Sequence, residues 1–439
     1  MRKYLKYKPS GVEWIGEIPE HWVLVSTNKI FNNLGSGTTP KSENTEYYED
    51  GIYNWINTSD LNESVIVDTI NKLTNKTIID YPSLTFYPAN SIFISMYGAK
   101  IGKIGVSTFQ SYCNQSVCVL PKSQECNMMF YYYWFLCFQE QLKSLGRGGG
   151  QPNINKDMIK EFPVCKVVLN EQNQIVRFLD AKTDIIDKLL STKERKINLL
   201  KQQRASLINQ VITKGLDPNV KMKGSGVEWI GEIPEHWKLV YLRHYSEKVG
   251  SGVTPKGGSE TYVDDGVIFI RSQNVHFDGL RLEEVVKISE DVHNSMSGSK
   301  VHKNDVLLNI TGGSIGRCCV VDRDDEMNVN QHVSIIRTKE NLLPYFLNYY
   351  LSSAIGQNSV EYNISGGNRE GLTFESIKCF QIPLPNKFEQ QQIIDHLNHR
   401  TIEIDDLISL EQKKIDLLKE YRQSLISEVI TGKIDVRSN

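Results

Sequence analysis

One segment of this chain is written twice, and that repeat constrains the fold more than any other feature. Ser10 to Trp22 reads SGVEWIGEIPEHW, and Ser225 to Trp237 reads the same. Further matches follow in the same order. Gly35 to Lys41 (GSGTTPK) answers Gly250 to Lys256 (GSGVTPK), and Asn114-Gln115 answers Asn330-Gln331. Tyr97-Gly98 with Ile101-Gly102-Lys103 answers Thr311-Gly312 with Ile315-Gly316-Arg317. Glu171 to Ile175 (EQNQI) answers Glu389 to Ile393 (EQQQI). The offset is 215 residues at Gly11 and 218 at Glu171, so few insertions separate the copies. Between these anchors the halves diverge. Asn57 to Asn90 has little in common with Gln273 to Asn304. A duplicated scaffold with unlike inserts implies one architecture presenting two different surfaces.

Each half divides into a mixed part and a tail. The mixed part carries short β-branched and aromatic runs, at Ile92–Ser95, Val117–Leu120, Val267–Ile270, Val306–Leu308 and Val333–Ile336. Turn residues separate them, and a helix is predicted over Phe130–Leu145, giving an α+β class. The tails are helical. Apolar residues recur at 175, 179, 186, 189, 197, 200, 207 and 211, and again at 393, 397, 404, 407, 415, 418, 425 and 429. No proline interrupts either run, and Gly215 and Gly432 stand where C-caps belong. A long helix with one apolar seam needs a partner, and its twin is the nearest candidate. The expected division is a recognition domain over 1–168, a spacer helix over 169–216, a second domain over 217–386 and a second helix over 387–435. The helices would pair as an antiparallel coiled coil with pseudo-two-fold symmetry. Two readers on such a rod would meet half-sites ~34 Å or ~10 base pairs apart. The first tail is basic from Ala181 to Gly215, with eight Lys/Arg against three Asp/Glu.

Several function classes fall away. The net charge of −2 argues against a chain devoted wholly to nucleic acid, yet permits positive charge confined to one face. The start of the sequence lacks a signal-peptide core, and the apolar run Met128 to Phe138 is too short to span a membrane. The eight cysteines form no C-x-x-C pair, which fits free thiols in a reducing cytoplasm. His396 and His399 share a helix face without a convincing ligand set, so no metal is assigned. His21 and His236 are expected to pack beside Trp22 and Trp237. Gly98 to Ile104 lacks the spacing and the Ser/Thr of a phosphate loop, and no Pro-Pro, H-E-x-x-H or G-x-S-x-G occurs. No catalytic residue is assigned.

What remains is a set of loops rich in glycine, hydroxyls and amides with interspersed cations. Glycine admits a phosphate close to backbone N–H groups, while Arg, Asn and Gln match the edges of guanine and adenine. The first half supplies Thr38, Lys41, Asn57, Ser59, Tyr97, Lys100, Lys103, Asn114, Gln115, Arg147, Gln151 and Asn153. The second supplies Thr254, Lys256, Arg271, Gln273, Asn274, Thr311, Ser314, Arg317, Asn330, Gln331, Asn368 and Arg369. These are the candidate DNA-binding residues.

The duplicated SGVEWIGEIPEHW opening, the GSGxTPK loop and the EQxQI start of each tail together resemble the specificity subunit of type I restriction-modification systems. The resemblance covers almost the whole chain. The first half departs from it only in Pro163-Val164-Cys165, where a Pro-Leu-Pro approach is usual. It implies a sequence-specific DNA-binding subunit without catalysis of its own, reading a split, asymmetric site in double-stranded DNA. Two methyltransferase subunits, carrying S-adenosylmethionine and the adenine chemistry, would dock on it. Restriction subunits would add ATP- and magnesium-dependent translocation and cleavage. No cofactor belongs to this chain itself. Alternatives are a recognition subunit whose single partner fuses methyltransferase and nuclease, or a structural DNA-bridging protein.

Overall fold

A computed structural model describes residues 2–146, 153–255, 257–364 and 371–437. The chain forms two compact units that cut across sequence order. One comprises Met1–Lys193 with Lys413–Asn439, and the other Glu194–Gln412. Each is built to the same plan.

In the first unit the repeated opening folds as a hairpin, Tyr7–Pro9 against Glu17–Pro19. Val23–Ser26 then pairs with Pro163–Lys166, so a two-stranded ribbon closes the base of everything between them. Within it lies a five-stranded sheet in the order Gly35–Ser36, Val117–Leu120, Ile92–Ser95, Ile104–Ser107, Ser64–Ile66. A three-stranded sheet adds Tyr112–Cys113, Tyr53–Ile56 and Asn71–Leu73, its first two strands parallel. The second unit repeats the hairpin at Met222–Gly224 and Glu232–Pro234 and the ribbon at Lys238–Tyr241 and Gln381–Leu384. Its sheets hold the parallel pair Val267–Ile270 and Met327–Val329. All five predicted strands are present.

The predicted helix at Phe130–Leu145 is two helices, Met128–Cys137 and Gln139–Ser144. The first is apolar all round because it is buried all round; Phe130, Tyr131, Trp134 and Phe135 are wholly enclosed. Its Tyr133 hydroxyl donates to Asp180 Oδ1 on the first long helix at 2.8 Å. Tyr349 donates likewise to Asn398 Oδ1 on the second, at 2.7 Å.

The long helices run Leu169–Lys214 and Lys387–Ile430. In the first unit Ile175, Val176 and Leu179 share a core with Ile426, Val429 and Ile430, so the start of one helix packs on the end of the other. The second unit joins Ile208, Val211 and Ile212 to Ile393, Ile394 and Leu397. Ion pairs Lys196–Glu411 at 2.9 Å and Arg204–Asp405 at 3.0 Å fix the antiparallel sense there. The seam departs from its expected path at one symmetric pair. Leu189 and Leu407 are exposed, and Thr183 and Thr401 are buried in the stripe instead. Steps of four and three from Leu179 and Leu397 lead through those threonines to the half-buried Leu190 and Ile408. The threonine hydroxyl is accommodated by the helix itself, Thr183 Oγ1 donating to Leu179 O at 2.8 Å.

Both EQxQI motifs act as fasteners. Glu171 Oε1 accepts from Trp22 Nε1 (3.0 Å) and the Tyr4 hydroxyl (2.7 Å), and Oε2 meets His21 Nε2 (2.9 Å). Glu389 repeats the bonds to Trp237 and His236 at 3.0 and 2.9 Å. The two histidines therefore do more than pack. Next along, Gln172 donates to Val167 O (2.7 Å) and accepts from Asn127 N (2.8 Å); Gln390 does the same with Pro385 O and Leu343 N. The far helix end docks on the same spot. Gly432 has φ +75° and lies so close that a Cβ would stand 2.5 Å from Pro19, while at Gly215 (φ +73°) it would stand 3.3 Å from Trp237. Both predicted C-caps are real, in the left-handed geometry glycine adopts without strain.

Candidate nucleic-acid interface

The parallel strands Tyr53–Ile56 and Tyr112–Cys113 in one unit, and Val267–Ile270 and Met327–Val329 in the other, each end at one place in their unit, and five segments meet there through backbone hydrogen bonds. Asn114 N–H donates to Ile56 O and Asn330 N–H to Ile270 O, both at 3.0 Å, joining the two strand exits. The GSG loop lies against them: Thr38 N–H reaches Cys113 O at 3.1 Å, and Gly252 N–H reaches Asn330 O at 3.2 Å. A Cβ at Gly37 would sit 1.6 Å from Cys113 O, and at Gly252 1.5 Å from Val329 O. Only glycine permits that approach. The next loop attaches by Met96 N–H to Ser116 O (2.8 Å) and Ile310 N–H to His332 O (3.0 Å). The fifth segment joins through Ile154 N–H to Met96 O (3.1 Å) and Leu372 N–H to Ile310 O (2.9 Å).

Most of the residues singled out from sequence fall in these two clusters, but they divide by how their side chains are used. Asn114 Oδ1 accepts from Ser116 N–H and Asn330 Oδ1 from His332 N–H, both at 3.1 Å, so these amides hold their own turns. Asn274 is buried, with Oδ1 on Arg271 N–H (3.0 Å) and Nδ2 on Arg281 O (2.9 Å). Ser314 Oγ accepts from Asn309 Nδ2 at 3.1 Å. Thr254 is bonded to Gln331, and Gln331 and Thr311 both meet the ring of His332. Lys41, Ser59, Tyr97, Gln115, Asn153 and Gln273 are exposed. Thr38 is half-buried, its carbonyl taking Trp55 Nε1 at 3.3 Å. Asn57 and Arg271 occupy equivalent corners, each the first residue after a strand and the cap of a short 3₁₀ turn.

Three cations lie beyond the strand exits. Lys100 donates to Asn62 Oδ1 at 2.7 Å, and Lys103 pairs with Glu63. Burial raises the Glu63 carboxyl, but hydrogen bonds from Lys103 and Gln139 outweigh it and hold the group below its ordinary value. Arg317, which answers Lys103, instead borders a cleft of about 1220 Å³ with Lys201, His276, Arg281, Tyr345 and Tyr349. There Asp278 is taken by Arg281 at 3.1 Å. Arg147, Gln151, Lys256, Asn368 and Arg369 lie outside the described residues.

Sequence reasoning passed over His332 and Asn309. His332 stands where the first unit has Ser116, and Asn309 Nδ2 also donates to Ser272 O at 2.8 Å, tying two loops together. The adjacency of His332 to the repeated Asn-Gln pair was the available signal for the first; Asn309 ends an apolar strand and gave none.

The family model for the type I restriction modification DNA specificity domain matches this chain twice, over residues 19–201 and 234–420. The chain belongs to that family. Each match takes in one loop cluster and the start of the long helix that follows it. Among specificity-domain relatives, the type I restriction enzyme MjaVIII specificity subunit of Methanocaldococcus jannaschii is 25% identical over 426 residues, covering 96% of this chain and 95% of its own. The EcoBI specificity subunit of Escherichia coli is 23% identical over 330 residues, 73% of this chain and 69% of its own. A solved structure concerned with assembly and conformational transition of the type I R-M system shares the fold at TM-score 0.74 and 16% identity, over 95% of this chain and 99% of its own. The crystal structure of the HsdS subunit from Thermoanaerobacter tengcongensis follows at TM-score 0.51 and 15% identity, over 95% and 98%.

Proposed function

We propose that this chain is the DNA-reading specificity subunit of a type I restriction-modification assembly, non-catalytic in itself, whose two loop clusters each read one half of a bipartite, asymmetric site. The observation that carries this is the duplicated cluster: one set of backbone bonds, Asn114 to Ile56 and Asn330 to Ile270 among them, holds different side chains in each unit. A repeated frame with unlike faces suits a site whose halves differ in sequence. Two methyltransferase subunits would supply S-adenosylmethionine and flip the target adenine. Restriction subunits would supply ATP-driven translocation and magnesium-dependent cleavage. The work of this chain is to position those partners on a chosen sequence. No helix among the described residues is long and apolar enough to cross a membrane.

The test is to express the chain with its methyltransferase partner subunits and map methylated adenines across a genome. Methylation at one split motif, absent when either component is omitted, is the expected result. Adenine methylation by the isolated chain with S-adenosylmethionine, or an unchanged motif without the chain, would overturn the proposal.

A further inference from the structure

We infer that Asn57 and Arg271 are paired specificity determinants, reading an adenine in one half-site and a guanine in the other from the same structural position. The inference rests on the specificity-subunit reading above and assigns residues within it. Both residues are the first after a parallel strand, Tyr53–Ile56 or Val267–Ile270, and both cap a short 3₁₀ turn, Thr58–Asp60 or Ser272–Asn274. Each turn is held by the side chain three residues on. Asp60 Oδ2 takes Asn57 N–H at 2.8 Å, and Asn274 Oδ1 takes Arg271 N–H at 3.0 Å. The corner is therefore fixed through the backbone, and its own side chain is free to differ. It does differ: a planar amide stands where the other unit has a guanidinium.

Their settings suit those readings. The Arg271 guanidinium lies over the Tyr262 ring, 5.8 Å from its centroid, which limits its rotation. No carboxylate pairs with it among the described residues, and its Nε is shut from solvent without an acceptor. That Nε lies out of reach of an incoming base, so the contact falls to the terminal Nη1 and Nη2 donors. The O6 and N7 edge of guanine presents two acceptors in the spacing of that pair. Asn57 donates its Nδ2 to Trp55 O at a long 3.3 Å, and the Asn amide matches the N6 and N7 edge of adenine. Asn274, by contrast, is buried with both halves of its amide on backbone groups.

The test uses the complete assembly with its methyltransferase subunits on a library randomised at every position of the mapped motif. Arg271→Asn should cut guanine preference at one position of one half-site by about tenfold to a hundredfold, leaving the other half unchanged. Arg271→Lys keeps the charge but loses the fork, so overall binding should hold while the same preference falls. Asn57→Ala should relax one adenine position in the opposite half. The inference is overturned if folded Arg271 variants keep every base preference, or if they relax both half-sites alike. A wild-type assembly that methylates without any preference would instead refute the specificity-subunit reading, and it is measured first.

Discussion

Replacing each motif glutamate by alanine should destabilise the two units unequally. Glu171 accepts two fully enclosed donors on one oxygen, the Tyr4 hydroxyl and Trp22 Nε1. Glu389 accepts one such donor, Trp237 Nε1. The histidines matter less, since the His21 and His236 side chains are 45% and 50% exposed and turn to water. A buried donor stripped of its acceptor costs about 1–3 kcal/mol. Glu171→Ala should then cost ~2–6 kcal/mol and Glu389→Ala ~1–3 kcal/mol, the gap being the Tyr4 hydroxyl. Glu171→Gln keeps an Oε1 for both donors and gives up only the charge, roughly 1 kcal/mol per bond. Hydrogen–deuterium exchange with peptide resolution separates the units, which a single melting curve does not. Protection should fall at Val23–Ser26 and the start of the first long helix in Glu171→Ala, and at Lys238–Tyr241 and the start of the second in Glu389→Ala. The first loss should be the larger, and Tyr4→Phe should close most of the gap. Equal losses, or a Glu171→Gln as damaging as the alanine, would refute the counting of donors.

Three further outcomes follow from the same geometry. Gly432→Ala should cost more than Gly215→Ala by about 1–3 kcal/mol in denaturant titration, because both suffer left-handed strain but only the first drives a Cβ into the Pro19 ring. Glu63 titrates below its ordinary value, so its pairing is fully present above pH ~4.3 and is lost as pH falls through the folded value; in denaturant titrations wild type should lose stability relative to Glu63→Gln as pH falls below ~4.3. Exchanging Ser26 to Glu161 for the matching segment of a relative should change one half of the methylated motif alone, since the cut points fall at the two-stranded ribbon that closes the domain; a change in both halves would mean the readers are not independent.

The architecture was open to sequence reasoning wherever one physical rule acted alone. Short β-branched and aromatic runs bounded by turn residues gave the strands, an unbroken apolar seam gave the long helices, and glycines past their ends gave the caps. The seam was misplaced at Leu189 and Leu407 because a leucine outranks a threonine on any apolar scale, while a helical threonine can return its hydroxyl to the preceding turn and be buried. The helix over Phe130–Leu145 hid its break at Phe138 because both pieces are apolar where they meet the core.

The site was legible as a place and not as a set of roles, and the reason is chemical. Asparagine, arginine and serine bond a base edge with the same groups that they use to bond a turn, so a loop rich in them announces polar work without saying where it is done. The duplication supplies the missing criterion. Asn114 and Asn330, alike in both copies, are spent inward on identical turns. Asn57 and Arg271, unlike, stand at a corner whose backbone is already held by Asp60 and Asn274. A position can change its side chain at little cost to the fold only where the fold does not use that side chain. Likeness between the halves therefore marks the frame, and unlikeness at a fixed corner is what sets the proposed readers Asn57 and Arg271 apart from it.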